Sequence, residues 1–445
     1  MIKTLVWGFP KEFASIVDQL ERDQVIDLQV WIGTEKRCTH SRKNFMEKDL
    51  SVPLKASVRC PDHLYDQVTK DLYSYLEMET RRYLYGQYYA HTMHDFLDHF
   101  QQLLHVFYSL LSQHQVEFVL IDKIPHYGED WILYALARAM GIKCLMLFPS
   151  HFPERFFYVS SIEDFGYFQE ASILDTGEIS IDAGLGEYMG YLKQFKPYQY
   201  NWVQAVQDFV VNQQFMAFHK WTRYRTYRKN LRLITTAAPD LERPFVFFPF
   251  HLQPELTTFP LGGKFVDQIL ALERLSELLP EGWLIYAKEN LHQSEYMRGQ
   301  GFFDRLQQIK NLVMVPGEYS SKMLIEKSQW TATITGTVGW ESIRLGKKVL
   351  VFGQPWYLSL PGMIPYTPTL TFEAIEQMPF PPTGEVLEQA IKTLLRKTGK
   401  GTVGRQFMNV IEFNELDNAK EVSQSLSRVI RRIEQREETA LATSI

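Results

Sequence analysis

A short segment rich in glycine and threonine is the part of this sequence best suited to bind an anion. It reads Thr335-Gly-Thr-Val-Gly-Trp-Glu341 and lies between a predicted strand and a predicted helix. Gly336 and Gly339 let backbone amides approach a ligand, and the free N–H groups at a helix start attract phosphate. Thr335 and Thr337 add hydroxyl donors, and Glu341 is placed to accept hydrogen bonds from ribose. The segment predicts a nucleotide site; the alternative is a threonine N-cap followed by a glycine turn.

Polar side chains also follow the predicted strand that ends near Phe248. The loop reads Phe248-Pro-Phe-His-Leu-Gln-Pro-Glu255, and its prolines hold His251, Gln253 and Glu255 at a strand end. Loops held in this way carry ligands in many α/β proteins. We expect these three side chains to bind the donor, although an ordinary polar loop explains the same pattern.

A third strand end carries Lys288, Glu289 and Asn290. A lysine beside a glutamate neutralises a phosphate while staying oriented. The alternative is a solvated ion pair, which contributes little.

The amino-terminal half supplies an imidazole and two carboxylates in the loop Pro125-His-Tyr-Gly-Glu-Asp130. His126, Glu129 and Asp130 are residue types suited to acid-base catalysis or to attack at a sugar carbon. The alternative is that the two carboxylates cap the next helix, where the helix dipole favours negative charge.

Motifs for other cofactors are absent from the sequence. No P-loop lysine follows Thr335, no GxGxxG fingerprint is present, and no DxD segment lies in a convincing loop. Cys38, Cys60 and Cys144 lack CxxC spacing, and the histidines lack an HxxEH pattern. We therefore expect no metal and no cofactor, and a nucleotide sugar would enter as a substrate.

A basic and aromatic stretch runs from Trp221 to Lys229. Arginines that alternate with tyrosines are suited to anionic lipid or glycan, but a solvated helix face has the same composition. The formal net charge of -5 gives no overall attraction for nucleic acid.

The elements that position these residues alternate between strand and helix. The amino-terminal half opens as strand, helix, strand, then carries a helical insertion from about 63 to 115 and a second strand-helix-strand unit. After a proline-containing linker at 237–244 the alternation becomes regular, which specifies a doubly wound parallel sheet. The predicted fold is α/β with two Rossmann-like halves facing across a cleft. We expect an acceptor-side domain at 1–240, a nucleotide-sugar domain at 241–400 and a C-terminal helix at 401–445.

Taken together, several of these segments resemble the capsule polysaccharide biosynthesis family, which includes transferases that add β-linked Kdo from CMP-Kdo. The similar segments are Phe248 to Glu255, Tyr286-Ala-Lys-Glu289, Thr333 to Glu341, Gly346 to Gly353 and Trp356-Tyr357. The resemblance implies a GT-B fold with the nucleotide in the second half. Where related transferases carry Lys-Glu-His-Pro, with a histidine thought to touch the donor phosphate, this chain has Lys288-Glu-Asn-Leu291.

The expected function is a glycosyltransferase that moves a sugar from a nucleotide donor, such as CMP-Kdo, to a growing capsular or surface polysaccharide or its lipid-linked acceptor. We expect Lys288 and His251 to stabilise the departing nucleotide. No export signal or apolar span is evident, so the expected location is cytoplasmic, peripheral to the membrane or to a capsule assembly complex. Two alternatives remain: a non-catalytic scaffold of such a complex, favoured by Asn290 and Leu291, and a nucleotide-sugar epimerase.

Overall fold

The computed structural model describes residues 1–45, 56–80, 92–181, 199–211, 217–236, 238–253, 259–405, 408 and 412–443. Within these ranges the chain forms two sheets flanked by helices. The α/β class with two Rossmann-like sheets, predicted from the sequence, is confirmed. Glu255 and the insertion residues 81–91 lie outside the described ranges.

The first sheet is built mainly from the amino-terminal part of the chain. Its strands are β1 (Ile2–Trp7), β2 (Ile26–Gly33), β3 (His40–Ser41), β4 (Phe118–Ile121), β5 (Lys143–Pro149), β6 (Arg155–Val159) and β13 (Gly399–Lys400). They lie in the order β13-β6-β5-β4-β1-β2-β3, and the pairs from β5 to β3 are parallel. β4 is buried along its whole length, as expected for a parallel strand covered on both faces.

The helices of the first half include the predicted insertion. They are α1 (Ala14–Arg22), α2 (Asp62–Thr69), α3 (Leu72–Thr80), α4 (Met93–Gln113) and α5 (Gly128–Ala139). α4 begins with a capping box between Thr92 and Asp95, and α2, α3 and α4 all contact α5. The insertion therefore packs onto the helix that follows β4.

The second sheet has six strands, all parallel. They are β7 (Phe245–Pro249), β8 (Leu284–Lys288), β9 (Leu312–Val315), β10 (Trp330–Thr333), β11 (Val349–Val351) and β12 (Met363–Pro365), in the order β12-β11-β10-β7-β8-β9. The helices of this part of the chain are α6 (Trp202–Val210), α7 (Ala217–Ile234), α8 (Gln268–Leu278), α9 (Gln300–Gln308), α10 (Ser321–Lys327), α11 (Thr337–Arg344) and α12 (Phe372–Gln377). Strand order reverses beside β7 and β10, and open α/β sheets bind ligands at such a point.

The end of the chain returns to the first half. α13 (Glu385–Leu395) places Leu387 and Ile391 in the core of the first half, and β13 pairs with β6 in antiparallel fashion. α14 (Glu415–Thr443) packs along α1. Before the predicted boundary at 240, Leu231 and Ile234 of α7 already pack on the core of the second half. The predicted domain limits themselves stay a prediction.

Aromatic side chains join the two halves. Trp340 and Trp356 of the second half lie 5.0 Å apart between ring centroids, and Phe152 of the first half meets both, at 6.3 and 6.0 Å. All three are buried. The core is therefore continuous from one sheet to the other at this point.

Candidate functional site

A cavity of about 660 Å³ lies where the carboxyl ends of the two sheets face each other. This volume is within the range of small-ligand sites in proteins. The first half contributes Lys123, Phe148 to His151 and Phe165, and the second half contributes Pro249 to Leu252, Leu261, Lys288 to His292, Ser321, Thr335 to Val338, Glu341 and Pro355 to Tyr357. The structure therefore brings the strand-end loops of the second half, which were singled out in the sequence, around one space.

The N-terminus of α11 opens on this cavity. Gly336 is the N-cap residue, and the first turn of α11 contains no acidic side chain. The first N–H groups of a helix lack partners within the helix, so they are available to an anion. A Cβ atom on Gly339 would lie 2.3 Å from the Tyr357 hydroxyl oxygen. Glycine is needed there for close packing of α11 against Tyr357.

His251 holds the turn that leads into α11. Its Nε2 accepts a hydrogen bond from the Thr335 backbone N–H at 3.1 Å, and the Gly336 N–H donates to the Thr333 hydroxyl at 3.1 Å. Burial lowers the pKa of His251 to about 4, and the Gln268 side chain partly opposes that shift. A neutral imidazole whose Nε2 is an acceptor positions the turn rather than donating to a leaving phosphate.

Two ionisable side chains line the cavity beside α11. Burial lowers the pKa of Lys288, while Glu341 and Glu318 favour its charged form. Burial also raises the pKa of Glu341, against the effect of Arg344 and Lys288. The Lys288 ammonium donates to the Tyr319 carbonyl at 2.9 Å and to the Ser321 hydroxyl at 2.6 Å. Burial disfavours the charged form of Lys288, and a polyanionic ligand beside it would favour that form.

Gln253 and Glu289 lie in a buried network centred on an arginine that the sequence analysis missed. Arg298 donates to the Glu289 carboxylate through Nε at 2.8 Å and through Nη2 at 3.3 Å. It also donates to Gln253 Oε1 at 3.0 Å. Asn290 forms a turn in which its Oδ1 accepts the His292 backbone N–H at 2.9 Å. These contacts fix the loop after β8, whose backbone lines the cavity.

The three predicted catalytic residues do not line the cavity. Glu129 and Asp130 were expected in a loop, but both lie in the first turn of α5 with no exposed surface. Asp130 Oδ1 accepts from Trp7 Nε1 at 2.6 Å and from Arg42 at 2.7 Å, and Glu129 accepts from Arg42 at 3.3 Å. His126 Nδ1 lies 3.6 Å from Asp130 Oδ2. The structure brings the three together as a group that lies outside the cavity lined by Thr335 to Val338 and Glu341.

The cavity residues that were not predicted as site residues include Lys123, His151, Ser321 and Trp356. Burial lowers the pKa of His151 to about 4, and its ring centroid lies 5.3 Å from that of Trp356. Lys123 and His151 follow β4 and β5, so reading every strand end of the first half would have found them. No comparable signal marks Ser321, which precedes neither a glycine turn nor a charged pair.

Within the described ranges no group of three or more His, Cys, Asp or Glu side chains is arranged to hold a metal ion. In the same part of the chain, every helix is too short or too polar to pass through a bilayer. The expectation of a site without metal or cofactor stays a prediction.

Comparisons with known proteins give a family match over part of the chain and several similar solved structures. No curated protein sequence gives a significant match. Among solved structures, KpsC beta Kdo 2,7 transferase of Thermosulfurimonas dismutans is 12% identical over 71% of this chain and 89% of its own, with a TM-score of 0.32. UDP-GlcNAc 2-epimerase of Methanocaldococcus jannaschii is 11% identical over 98% of this chain and 100% of its own, with a TM-score of 0.25.

The family comparison covers the loop after β8, the N-terminus of α11 and the elements that follow. The model of the family described as capsule polysaccharide biosynthesis protein matches residues 290–398. These residues include Thr335 to Glu341, the segment on which the resemblance in the sequence was strongest. Residues 290–398 are therefore similar to the capsule polysaccharide biosynthesis protein family.

Proposed function

We propose that the chain is a glycosyltransferase of capsule polysaccharide synthesis that takes its sugar from a nucleotide-activated donor bound in the cavity. The observation that supports this most directly is the N-terminus of α11, which opens on a cavity between two sheets without an acidic side chain of its own. Phosphate is the ligand best matched to such a helix end.

In this proposal the donor phosphate lies against the backbone amides of Thr337 and Val338, and Glu341 accepts from the ribose. His251, Gln253, Glu289 and Asn290 hold the surrounding loops. When the bond between the anomeric carbon and the phosphate oxygen breaks, negative charge develops on the departing nucleotide. The dipole of α11 and the Lys288 ammonium stabilise that charge, because both are fixed before the reaction begins.

The acceptor hydroxyl attacks the anomeric carbon and loses its proton to a base of the first half. We assign this role to His151, because it is an imidazole that the first half contributes to the cavity. Glu129 and Asp130 then act as positioning residues, since they anchor Arg42 beneath the His126 loop. The acceptor is a glycan or glycolipid, and the mechanism needs no divalent metal because Lys288 and the helix dipole supply the positive charge.

The test is a thermal-shift panel with CMP, UDP, GDP and their sugar conjugates. A ligand at ~100 times its Kd adds about 2.7 kcal/mol to the free energy of unfolding, which is readily measured. One nucleotide should raise the Tm of the wild type and have little effect on Glu341→Gln. Glu326→Gln is the control, because that carboxylate is exposed on α10, outside the cavity. Equal shifts in both variants, or no shift with any nucleotide, would contradict the proposed donor site.

A non-catalytic role in a polysaccharide assembly complex is the second candidate. Asn290 stands where related transferases carry histidine, its Oδ1 is engaged in a local turn, and Leu291 is 40% exposed. Nucleotide binding without release of nucleotide from any sugar conjugate, in the presence of acceptor glycan, would favour this candidate over the transferase.

A further inference from the structure

A second and larger concavity, of about 1400 Å³, lies beside the cavity. It is bounded by α7, by the residues that lead into α6, and by the loops that follow β8 and β9. Glu289, Asn290 and Leu291 line both spaces. We call it the basic groove after the side chains that line one wall: Arg225, Arg228, Lys229 and Arg232. A ligand that follows the groove therefore reaches the edge of the cavity.

Among the described residues, no carboxylate forms a salt bridge with the cations of this wall. α7 has six Lys and Arg residues and no acidic residue between Ala217 and Ile234. In the described part of the chain, no salt bridge ties the four groove cations to a carboxylate. On the opposite wall Glu289 is paired with Arg298, which leaves Glu318 as an acidic side chain facing four cations. The groove thus favours an anion although the whole chain has a net charge of -5.

The cations of the groove are spaced at intervals of one helical turn. Arg225, Arg228 and Arg232 are three and four residues apart, so they lie on one face of α7 at a spacing of about 5 Å. A single phosphate occupies one such position. A row of cations along a groove matches a chain with repeated negative charges.

Aromatic rings accompany the cations. The Arg225 guanidinium lies 4.8 Å from the centre of the Trp221 ring, and the Trp202 and Trp221 centroids are 5.2 Å apart. Trp202 is 52% exposed. Exposed indole faces give an apolar platform for the C–H faces of sugar rings, while the neighbouring guanidinium groups pair with carboxylates or phosphates.

We propose that the basic groove binds an acidic glycan, a chain of sugars bearing carboxylate or phosphate groups, and leads its end to the cavity at Glu289 to Leu291. The inference rests on the proposed glycosyltransferase function, because it identifies the groove as the binding site of the acceptor chain. A concave groove can enclose a glycan chain, whereas the flat surface of a bilayer would contact only the rim of the groove.

The test measures binding of oligosialic acid to the full chain by isothermal titration calorimetry at ~0.15 M salt, where the Debye length is about 8 Å. Maltoheptaose is the neutral comparison chain. The test variant combines Arg225→Gln, Arg228→Gln and Arg232→Gln. The matched control combines Arg22→Gln, Lys310→Gln and Lys420→Gln, which remove the same charge from exposed positions outside the groove. Trp202→Ala tests the aromatic platform.

The expected result is that the wild type and the control bind oligosialic acid alike and bind maltoheptaose far more weakly. The triple groove variant should bind oligosialic acid about tenfold more weakly or worse, and Trp202→Ala about threefold to tenfold. The nucleotide-induced thermal shift should be the same in all these variants. Oligosialic acid binding without any nucleotide shift would uphold the groove and contradict the proposed donor site.

Several results would overturn the inference. One is equal loss of oligosialic acid binding in the control and the groove variant, and another is binding of maltoheptaose as tight as that of oligosialic acid. A third is a groove variant that loses affinity only for phosphatidylglycerol vesicles, which would make the surface a membrane contact. A fourth is tighter binding of single-stranded oligothymidylate than of oligosialic acid, which would identify a site for nucleic acid.

Discussion

The loop after β4 and the loop after β10 have the same local design and opposite surroundings. Each leaves a parallel strand and enters a helix. The first turn of α5 carries Glu129 and Asp130, and its Gly128 N–H donates to Glu79 at 2.8 Å, so carboxylates of the chain itself occupy that helix end. The first turn of α11 carries no acid and faces the cavity. A helix N-terminus that supplies its own carboxylates is closed to an external anion, whereas one without them is open.

Removing the carboxylate of Asp130 is the strongest test of this difference between the two helix ends. Asp130→Ala removes the acceptor of the buried Trp7 indole N–H and the nearer of the two carboxylates that Arg42 contacts. Loss of one partner of a buried ion pair costs about 3–5 kcal/mol of unfolding free energy, which urea denaturation followed by fluorescence would measure.

Glu163→Ala is the matched control, because Glu163 pairs with Arg138 on the surface and should cost about 1 kcal/mol or less. If Asp130→Ala were as stable as the control while sugar transfer was abolished, Asp130 would be a catalytic residue and the closed helix end would be the wrong interpretation.

The second prediction compares one buried histidine from each half as the pH falls. Burial lowers the pKa of His151 and of His251 to about 4 from the ordinary value of 6.5. Between these values the unfolded chain binds protons that the folded chain does not, so the free energy of unfolding decreases as the pH falls from 6.5 toward 4. Each histidine contributes up to about 3 kcal/mol to that decrease.

Urea denaturation at several pH values in this window, for the wild type, His151→Asn and His251→Asn, would measure the two contributions. Each variant should show a shallower dependence on pH than the wild type. A slope unchanged in His251→Asn would mean that the histidine is protonated in the folded chain, and its Nε2 would then not accept from Thr335.

The third and smallest effect concerns the packing behind α11. Gly339→Ala pushes a methyl group against Tyr357, whose hydroxyl donates to the Gly336 carbonyl. Overpacking of this kind costs about 1–3 kcal/mol, and displacement of the turn should also reduce the nucleotide-induced thermal shift.

Gly301→Ala is the control for this change, because Gly301 lies in α9 with open space around its Cβ position. It should be neutral or stabilising by about 0.5–1 kcal/mol. A Gly339→Ala variant with full stability and full nucleotide response would show that the close contact with Tyr357 does not shape the site.

The features that the sequence predicts correctly are those set by residues close to one another in the chain. The segment Thr335 to Glu341 contains its own strand end, turn and helix start, so its place at the cavity followed from local pattern alone. Asp130 is held in its buried position by Arg42, which lies 88 positions away in the chain. Glu289 is held by Arg298, which follows it across an irregular turn. Pairing of charges across a fold leaves no periodic signal. The same reason explains why β13, two residues long, and its place beside β6 were not foreseen.

The return of the chain to the first half limits how the two halves can move. The backbone returns from the second half to the first between α12 and α13. This passage contains Pro379, Pro381 and Pro382, whose rings fix φ and stiffen the connection. We therefore expect this stiff passage to limit how far the two halves can separate on its side of the molecule.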